Sequence, residues 1–331
     1  MTATLQIFSR ALQMPDLAFA TLTDARPLTD SSGMPRLLRT TRFVEALIEW
    51  QDRQWLLSMP LSPASMHRIA RSAPAIRRLH SELLADYRIL PDELHWTDAA
   101  GQEQSCDLTI QLLPEGRDFE EALLTEEPGR LLEALDKLEA GLREMNFTHN
   151  NLKATNLRWS AGRWVPLRYY DARISDADHA DAEAFEELRH RISESSGQQE
   201  IVSDTTATYD ARRPLAGHVW TSHEFEGLIC VEDADGYGYV DAENHPVIPA
   251  RFLWADDFHE GRAEVETPTG MGLIDREGNF IIPPEYEIVD YNHAESTINA
   301  RKKGQWSQFD YLGRPICKAG TINEYTSCKT E

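Results

Sequence analysis

The chain has 331 residues and a formal net charge of −22, from 33 Lys+Arg against 55 Asp+Glu, a length that suits two domains, each able to bury its own apolar core. An acid excess of this size repels nucleic-acid phosphates and anionic membrane surfaces, so nucleic acid and membrane are excluded as expected partners and a neutral or basic protein is expected instead. Cys106, Cys230, Cys317 and Cys328 lack the spacing of a tetrahedral metal site and are too few for a disulfide scaffold, and no apolar run approaches the roughly 20 residues that span a bilayer, so a soluble cytoplasmic protein is expected.

Residues 1 to about 60 carry short apolar runs, such as Phe43-Val44-Glu45-Ala46-Leu47-Ile48 and Trp55-Leu56-Leu57, separated by polar turns. They read as strands of an antiparallel sheet. From Pro63 onward, Ile69, Ala73, Ile76, Leu79 or His80, Leu83 and Tyr87 recur at helical spacing and predict one amphipathic helix reaching Tyr87. Cys106 to Leu113 alternates like a strand and stops at Pro114-Glu115-Gly116. Leu131, Leu135, Leu138, Leu142 and Met145 define a long helix ending just before Phe147.

An acidic run follows, with Asp176, Asp178, Asp181, Glu183, Glu186 and Glu187, within which Phe185, Leu188 and Ile192 keep helical spacing. Carboxylates favour a helix N-terminus, so this reads as a further helix with a solvated face. The small, polar stretch Ser193 to Glu200 and the change of composition after it place a domain boundary between about 193 and 215. Two domains result, residues 1–200 and 210–331, the second expected to fold from near residue 210.

Beyond that boundary the sequence repeats itself. Gly236-Tyr237-Gly238-Tyr239-Val240-Asp241 returns as Gly270-Met271-Gly272-Leu273-Ile274-Asp275 and again as Gly304-Gln305-Trp306-Ser307-Gln308-Phe309-Asp310. In phase with it, Phe225-Glu226-Gly227 returns around Phe258 to Gly261, and Val247-Ile248-Pro249 returns as Ile281-Ile282-Pro283. A fixed period with strand-like alternation and Gly/Pro punctuation predicts about three stacked β units, none of which can bury its face alone.

His149-Asn150-Asn151-Leu152-Lys153-Ala154-Thr155-Asn156-Leu157 arrives directly after a long amphipathic helix, and Leu167-Arg168-Tyr169-Tyr170-Asp171-Ala172-Arg173 follows it. The first resembles the catalytic loop of protein kinases and the second their strand and Asp-Phe-Gly motif. The resemblance implies an α+β, reduced two-lobe kinase-like domain followed by an all-β repeat domain. It also matches Asn156 and Asp171 to the residues that hold Mg²⁺ and nucleotide in the family.

Two departures argue against transfer chemistry. The base position holds Asn151, and an amide has no useful basicity near neutral pH. No Gly-x-Gly-x-x-Gly loop occurs, and the first lysine of the chain is Lys137, so the family's third-strand lysine has no counterpart. Glu82, the candidate for the family's helix carboxylate, then reads as an exposed charge. No catalytic residue is expected from the degenerate loop of His149, Asn151 and Lys153. No cofactor is expected either, ATP and Mg²⁺ surviving only as vestigial ligands of Asn156 and Asp171.

The repeats, with Phe-x-Glu-Gly, Gly-Leu-Ile-Asp-x-x-Gly and Ile-Ile-Pro-Pro in register, resemble WG repeats, a bacterial β-rich repeat family associated with protein interaction. Tyr237, Phe258 and Trp306 are the candidate interaction residues, although aromatic positions in repeats more often fill the core between units. The expected function is a non-catalytic pseudokinase-type scaffold with a repeat-based protein-interaction module. One alternative is an atypical kinase-like transferase of phosphoryl or nucleotidyl groups using Mg-nucleotide at Asn156 and Asp171. Another is an acidic regulatory or inhibitor protein that binds a basic partner.

Overall fold

Thr4 starts the first helix of the computed structural model, which describes residues 4–79, 81–98, 100–174, 181–195, 214–292 and 296–317. Its hydroxyl accepts from the Ile7 amide, the N-cap bond that satisfies one orphan donor of helix α1, Leu5–Gln13. Phe8, Ala11 and Leu12 form the buried stripe. The expectation of strands alone up to residue 60 therefore missed a helix. Met14 ends α1, and Pro15 opens the short helix α2, Pro15–Ala18.

The chain divides into two compact units. Unit 1 comprises residues 1–38, 44–60 and 68–210, and unit 2 comprises residues 39–43, 61–67 and 211–331. The repeat part expected to start near 210 thus includes two short pieces from much earlier in the chain. His80, Asp176, Asp178, Cys328 and residues 196–213 of the expected boundary lie outside the described residues.

Unit 1 is built on an antiparallel sheet whose order is Arg26–Pro27, Phe43–Trp50, Arg53–Pro60, Glu103–Leu112 and Tyr87–Thr97, with Leu37–Arg39 paired to Phe43–Trp50 off that path. Helix α3, Pro63–Ile76, ends eleven residues short of the predicted limit. Its last bonds tighten to i→i+3 at Arg78 and Leu79, Leu84 closes a turn on Ser81, and Tyr87 leaves helical spacing to pair with Gln111 across the sheet. Strand pairing overrides the local period there.

Helix α4, Phe119–Thr125, is capped by Asp118, whose side chain accepts from Glu121 N at 2.9 Å. Helix α5, Pro128–Glu144, buries Leu131, Leu135, Leu138 and Leu142, the predicted stripe. Helix α6, Ala182–Ser195, buries Phe185, Leu188 and Ile192 as the spacing required. Arg189 on α6 ties these helices together by pairing with Asp136 and Glu139 of α5.

Unit 2 takes in the first turn of α3, and its described residues after residue 213 are all β and form three four-stranded antiparallel sheets. The first runs Trp220–Phe225, Leu228–Asp233, Gly236–Val240, Pro246–Phe252; the second runs Trp254–Ala255, Arg262–Thr267, Gly270–Asp275, Phe280–Tyr286. The third runs Ile288–Asn292, Thr297–Lys302, Gln305–Asp310, Pro315–Cys317.

The sequence period is a register period, for Tyr237 opposes Phe252 and Met271 opposes Tyr286, with the same irregularity following each pair. At the start of the third strand of the first two sheets, Gly236 and Gly270 have φ of +116° and +140°, and a Cβ there would lie 2.3 Å from the Phe252 carbonyl oxygen and 2.7 Å from that of Tyr286. Only glycine fits that approach. The aspartates that close each repeat motif organise the next turn: Asp241 accepts from His245 N, Asp275 from Asn279 N and Asp310 from Arg314 N.

Candidate functional site

The loop from His149 to Asn156 follows α5 and the first strand of a short two-stranded ladder. Asn146, with φ of +53°, turns the chain out of α5, and Phe147–Thr148 pairs with Arg173–Ile174, Thr148 opposite Arg173 and Phe147 opposite Ile174. This ladder brings the two sequence motifs together. Asn150, at φ +59°, donates its side-chain amide to the carbonyl of Asp171 at 2.8 Å.

Asp181, at the head of α6, fixes the loop from the other side by accepting the backbone N–H groups of His149 at 2.5 Å and Asn150 at 2.8 Å. The imidazole of His149 is fully buried, with Nε2 2.8 Å from the Leu167 carbonyl, which can only accept, so Nε2 carries the proton. Burial pushes His149 below the usual histidine range, partly offset by the Asp181 carboxylate. It sits edge-on to Tyr169, which also meets Tyr87 and Phe147. His149 is a packed residue of the loop.

Asn156 is 1% exposed and uses both ends of its amide. Nδ2 donates to the Asn151 carbonyl at 2.7 Å, and Oδ1 accepts from Arg168 Nη1 at 3.2 Å. Arg168 also donates from Nη1 to the Thr155 carbonyl, and its Nε lies 3.0 and 2.9 Å from the two oxygens of Glu45. Its backbone is left-handed at φ +63°, a conformation held by the Gln111 side chain accepting from Arg168 N at 2.7 Å.

The Glu45 side chain is 0% exposed and accepts a second donor, Tyr170 Oη, at 2.6 Å. Because that hydroxyl gives its proton to Glu45, Ser58 Oγ, 2.6 Å away, donates to the tyrosine oxygen. Burial and the Glu45 charge both hold the Tyr170 phenol protonated by raising its pKa well above the usual value. The chain Ser58, Tyr170, Glu45, Arg168, Asn156 is a continuous buried polar network.

This donor set does not fit a divalent cation at Asn156. The oxygen that would ligate it already accepts from a guanidinium, and a metal there would face that fixed positive charge. Lys153 is exposed, while Asn151 and Asp171 are half-buried. Glu82 lies in the turn beyond α3, exposed, 3.3 Å from Arg163. Sequence reasoning named the loop but missed Glu45, Arg168 and Asp181 as its supports. A glutamate inside the apolar run Phe43 to Ile48 was the one signal present.

The three candidate interaction residues are buried in unit 2. Phe258 stacks edge-on against Tyr239 at 4.7 Å, and Tyr237 and Trp306 are 7% and 8% exposed. Their burial agrees with the core-filling role that aromatic repeat positions more often take, because apolar rings there gain most by filling the core. Two of them also meet the early pieces of chain that belong to this unit. Tyr237 accepts from the Arg39 guanidinium at its hydroxyl, and the Trp306 ring lies 4.7 Å from the His67 ring.

Among the described residues no helix is long and apolar enough to cross a membrane. No curated protein matches the chain. Among solved structures, the autoinhibited serine kinase domain of the giant muscle protein titin aligns at 9% identity and a TM-score of 0.33, over 45% of this chain. The alignment spans 46% of that kinase structure. Residues 237–267 and 271–306 match the family described as WG containing repeat, to which the β sheets of unit 2 are therefore similar.

Proposed function

We propose that the chain is a non-catalytic pseudokinase-type scaffold, with a kinase-like part over residues 1–200 and WG-like repeats over 210–331 that bind a protein partner in the cytoplasm. The observation that carries this reading is the seat of Arg168 on Asn156. A guanidinium braced by Glu45 takes the oxygen that the family resemblance assigns to Mg²⁺. Asn151 at the base position supports the same conclusion, since an amide cannot accept the proton of an attacking hydroxyl. Phosphoryl transfer rests on positioning and charge neutralisation of the phosphates, and the chain lacks the glycine-rich loop and early lysine that supply both.

The repeats supply the other half of the reading. Their resemblance is to a family associated with protein interaction, and the acid excess of the chain suits a basic or neutral partner. Calorimetry of the full chain with millimolar ATP and Mg²⁺ is expected to give no saturable heat. A micromolar dissociation constant would overturn the non-catalytic assignment.

A further inference from the structure

Unit 2 holds a short turn of chain, Arg39-Thr40-Thr41-Arg42, closed by Thr40 N donating to the Phe43 carbonyl at 2.9 Å, far from the repeats in sequence and gripped largely through its side chains by polar and aromatic contacts. The Arg39 guanidinium lies 4.6 Å from the ring centroid of Trp220 and 5.7 Å from that of Tyr237. Its Nη1 is 2.6 Å from a Glu232 oxygen, and it donates to the Tyr237 hydroxyl. Three residues on, Arg42 Nε lies 2.7 Å from Asp256 Oδ2. Between the two arginines, the Thr41 hydroxyl is 3.0 Å from Asp256 Oδ1 and 3.0 Å from Asp257 Oδ2. Trp254 Nε1 donates to the Thr41 carbonyl at 2.6 Å. All of these residues belong to unit 2.

These contacts have the grammar of peptide recognition. One bond reads the backbone, one carboxylate pair reads a hydroxyl, and two acid-lined places read arginines three apart. Arginine suits the Trp220–Tyr237 cage because its planar guanidinium stacks on aromatic faces while still donating in its plane, which a lysine ammonium cannot do.

The apolar core of the unit is made of repeat side chains with Ala64 and Leu61, and no side chain from 39–42 is part of it. A segment retained for stability alone would gain more from apolar packing, since buried ion pairs contribute little net stability and mainly confer specificity. The fit is also incomplete. On the receptor side Asp257 Oδ1 is buried without a hydrogen-bond partner, so an occupant that donated to it would bind better than the resident one.

We propose that the groove lined by Trp220, Glu232, Tyr237, Trp254, Asp256 and Asp257 is a receptor site for an Arg-polar-polar-Arg segment folded as a tight turn, with Arg39–Arg42 as its built-in occupant. The partner of the repeats is then a protein that presents such a segment in place of the resident one. This deepens the reading of the repeats as a protein-binding module and rests on it. A resident segment on a short tether competes at an effective concentration on the order of millimolar, so an outside peptide binds the unaltered chain roughly 10–100-fold more weakly than a chain whose own segment is disabled.

The test uses full-length protein and a fluorescein-labelled peptide of residues 36–45. In anisotropy titrations, the double variant Arg39→Ala, Arg42→Ala is expected to bind the peptide 10–100-fold more tightly than the unaltered chain, on the tether argument above. A peptide with both arginines changed to alanine is expected not to bind. Equal binding of the two peptides, or no gain in the double variant, overturns the proposal. If the double variant loses its cooperative melt, the native peptide in excess is expected to restore it and the alanine peptide not to; no arginine-dependent restoration overturns it equally. Loss of the proposal in this way leaves the calorimetric result with ATP untouched, and saturable nucleotide heat overturns the non-catalytic reading without affecting the peptide result.

Discussion

Changing Arg168 to alanine removes the cation bonded to the Glu45 carboxylate and tests whether the network organises unit 1. Glu45 would keep the Tyr170 hydroxyl as a donor but lose a guanidinium Nε 2.9 Å from Oε2, in a place with no solvent exposure. Stranding one member of a buried pair costs about 3–5 kcal/mol. With a urea slope of about 2 kcal/mol/M, the midpoint should fall by about 1.5–2.5 M.

Two companions sharpen the test. Arg168→Gly removes the same charge but relieves the left-handed backbone at φ +63°, so it should be milder by about 1 kcal/mol. The double change Glu45→Leu, Arg168→Met replaces the pair with apolar volume and should recover most of the loss, because hydrophobic replacement of buried pairs is often neutral. Urea denaturation of the full chain, followed by tryptophan fluorescence with the buried Trp159 and Trp164 as reporters, reads all three. A midpoint shift below about 0.5 M for Arg168→Ala, or no recovery in the double variant, would refute the argument that a buried carboxylate depends on this arginine.

Asn151→Asp restores a carboxylate at the base position and is expected to give no label transfer from radiolabelled ATP, because Asn156 Oδ1 stays engaged by Arg168; transfer above the unaltered background would show a competent nucleotide site. Asp257 has its carboxyl pushed up to about 7 by burial and by the charge of Asp256, opposed by Ser222, Thr41 and Arg42, with Cys230 and Tyr239 also facing it. An acid raised in the fold from 3.8 to about 7 contributes fully at low pH, and its contribution is lost between those two values, by about 4 kcal/mol in all. Asp257→Asn should therefore flatten the decline of Tm between about pH 4 and 7, and parallel Tm curves would refute it. Gly236→Ala should lower Tm far more than Gly304→Ala, since a Cβ meets the Phe252 carbonyl oxygen at 2.3 Å in the first and nothing within 4 Å in the second, although both have positive φ; equal melting shifts would contradict the register argument.

What was legible in the sequence follows the range of the interactions involved. The leucine stripe of α5 and the Phe185, Leu188, Ile192 stripe of α6 are local periodicities and read directly. So does the repeat, because Gly236 and Gly270 each mark the same hairpin geometry. Helix α1 was missed since its stripe is one short cluster, Phe8, Ala11 and Leu12, with its start signalled by a single threonine. The overextended helix after Pro63 failed where Tyr87 found a strand partner 24 residues away.

The loop was recognisable from its own letters, but its supports were not. Asp181 reaches back 32 residues to His149, and Glu45 bonds across 123 residues to Arg168. Nothing periodic links such positions. The occupied groove of unit 2 was hidden for the same reason, with Arg39 and Tyr237 standing 198 residues apart.

That last separation imposes an order on biogenesis. Thr41 leaves the ribosome 215 residues before Asp256, the side chain that will hold it, a wait of roughly 10–40 s at ordinary translation rates. Throughout that interval two arginines destined for burial are open to any acidic, aromatic surface nearby, while the β sheets that receive them do not yet exist. Sheet formation downstream must then recruit a piece of chain already flanked by the strand Phe43–Trp50, so closure of the groove is a late, long-loop event in maturation.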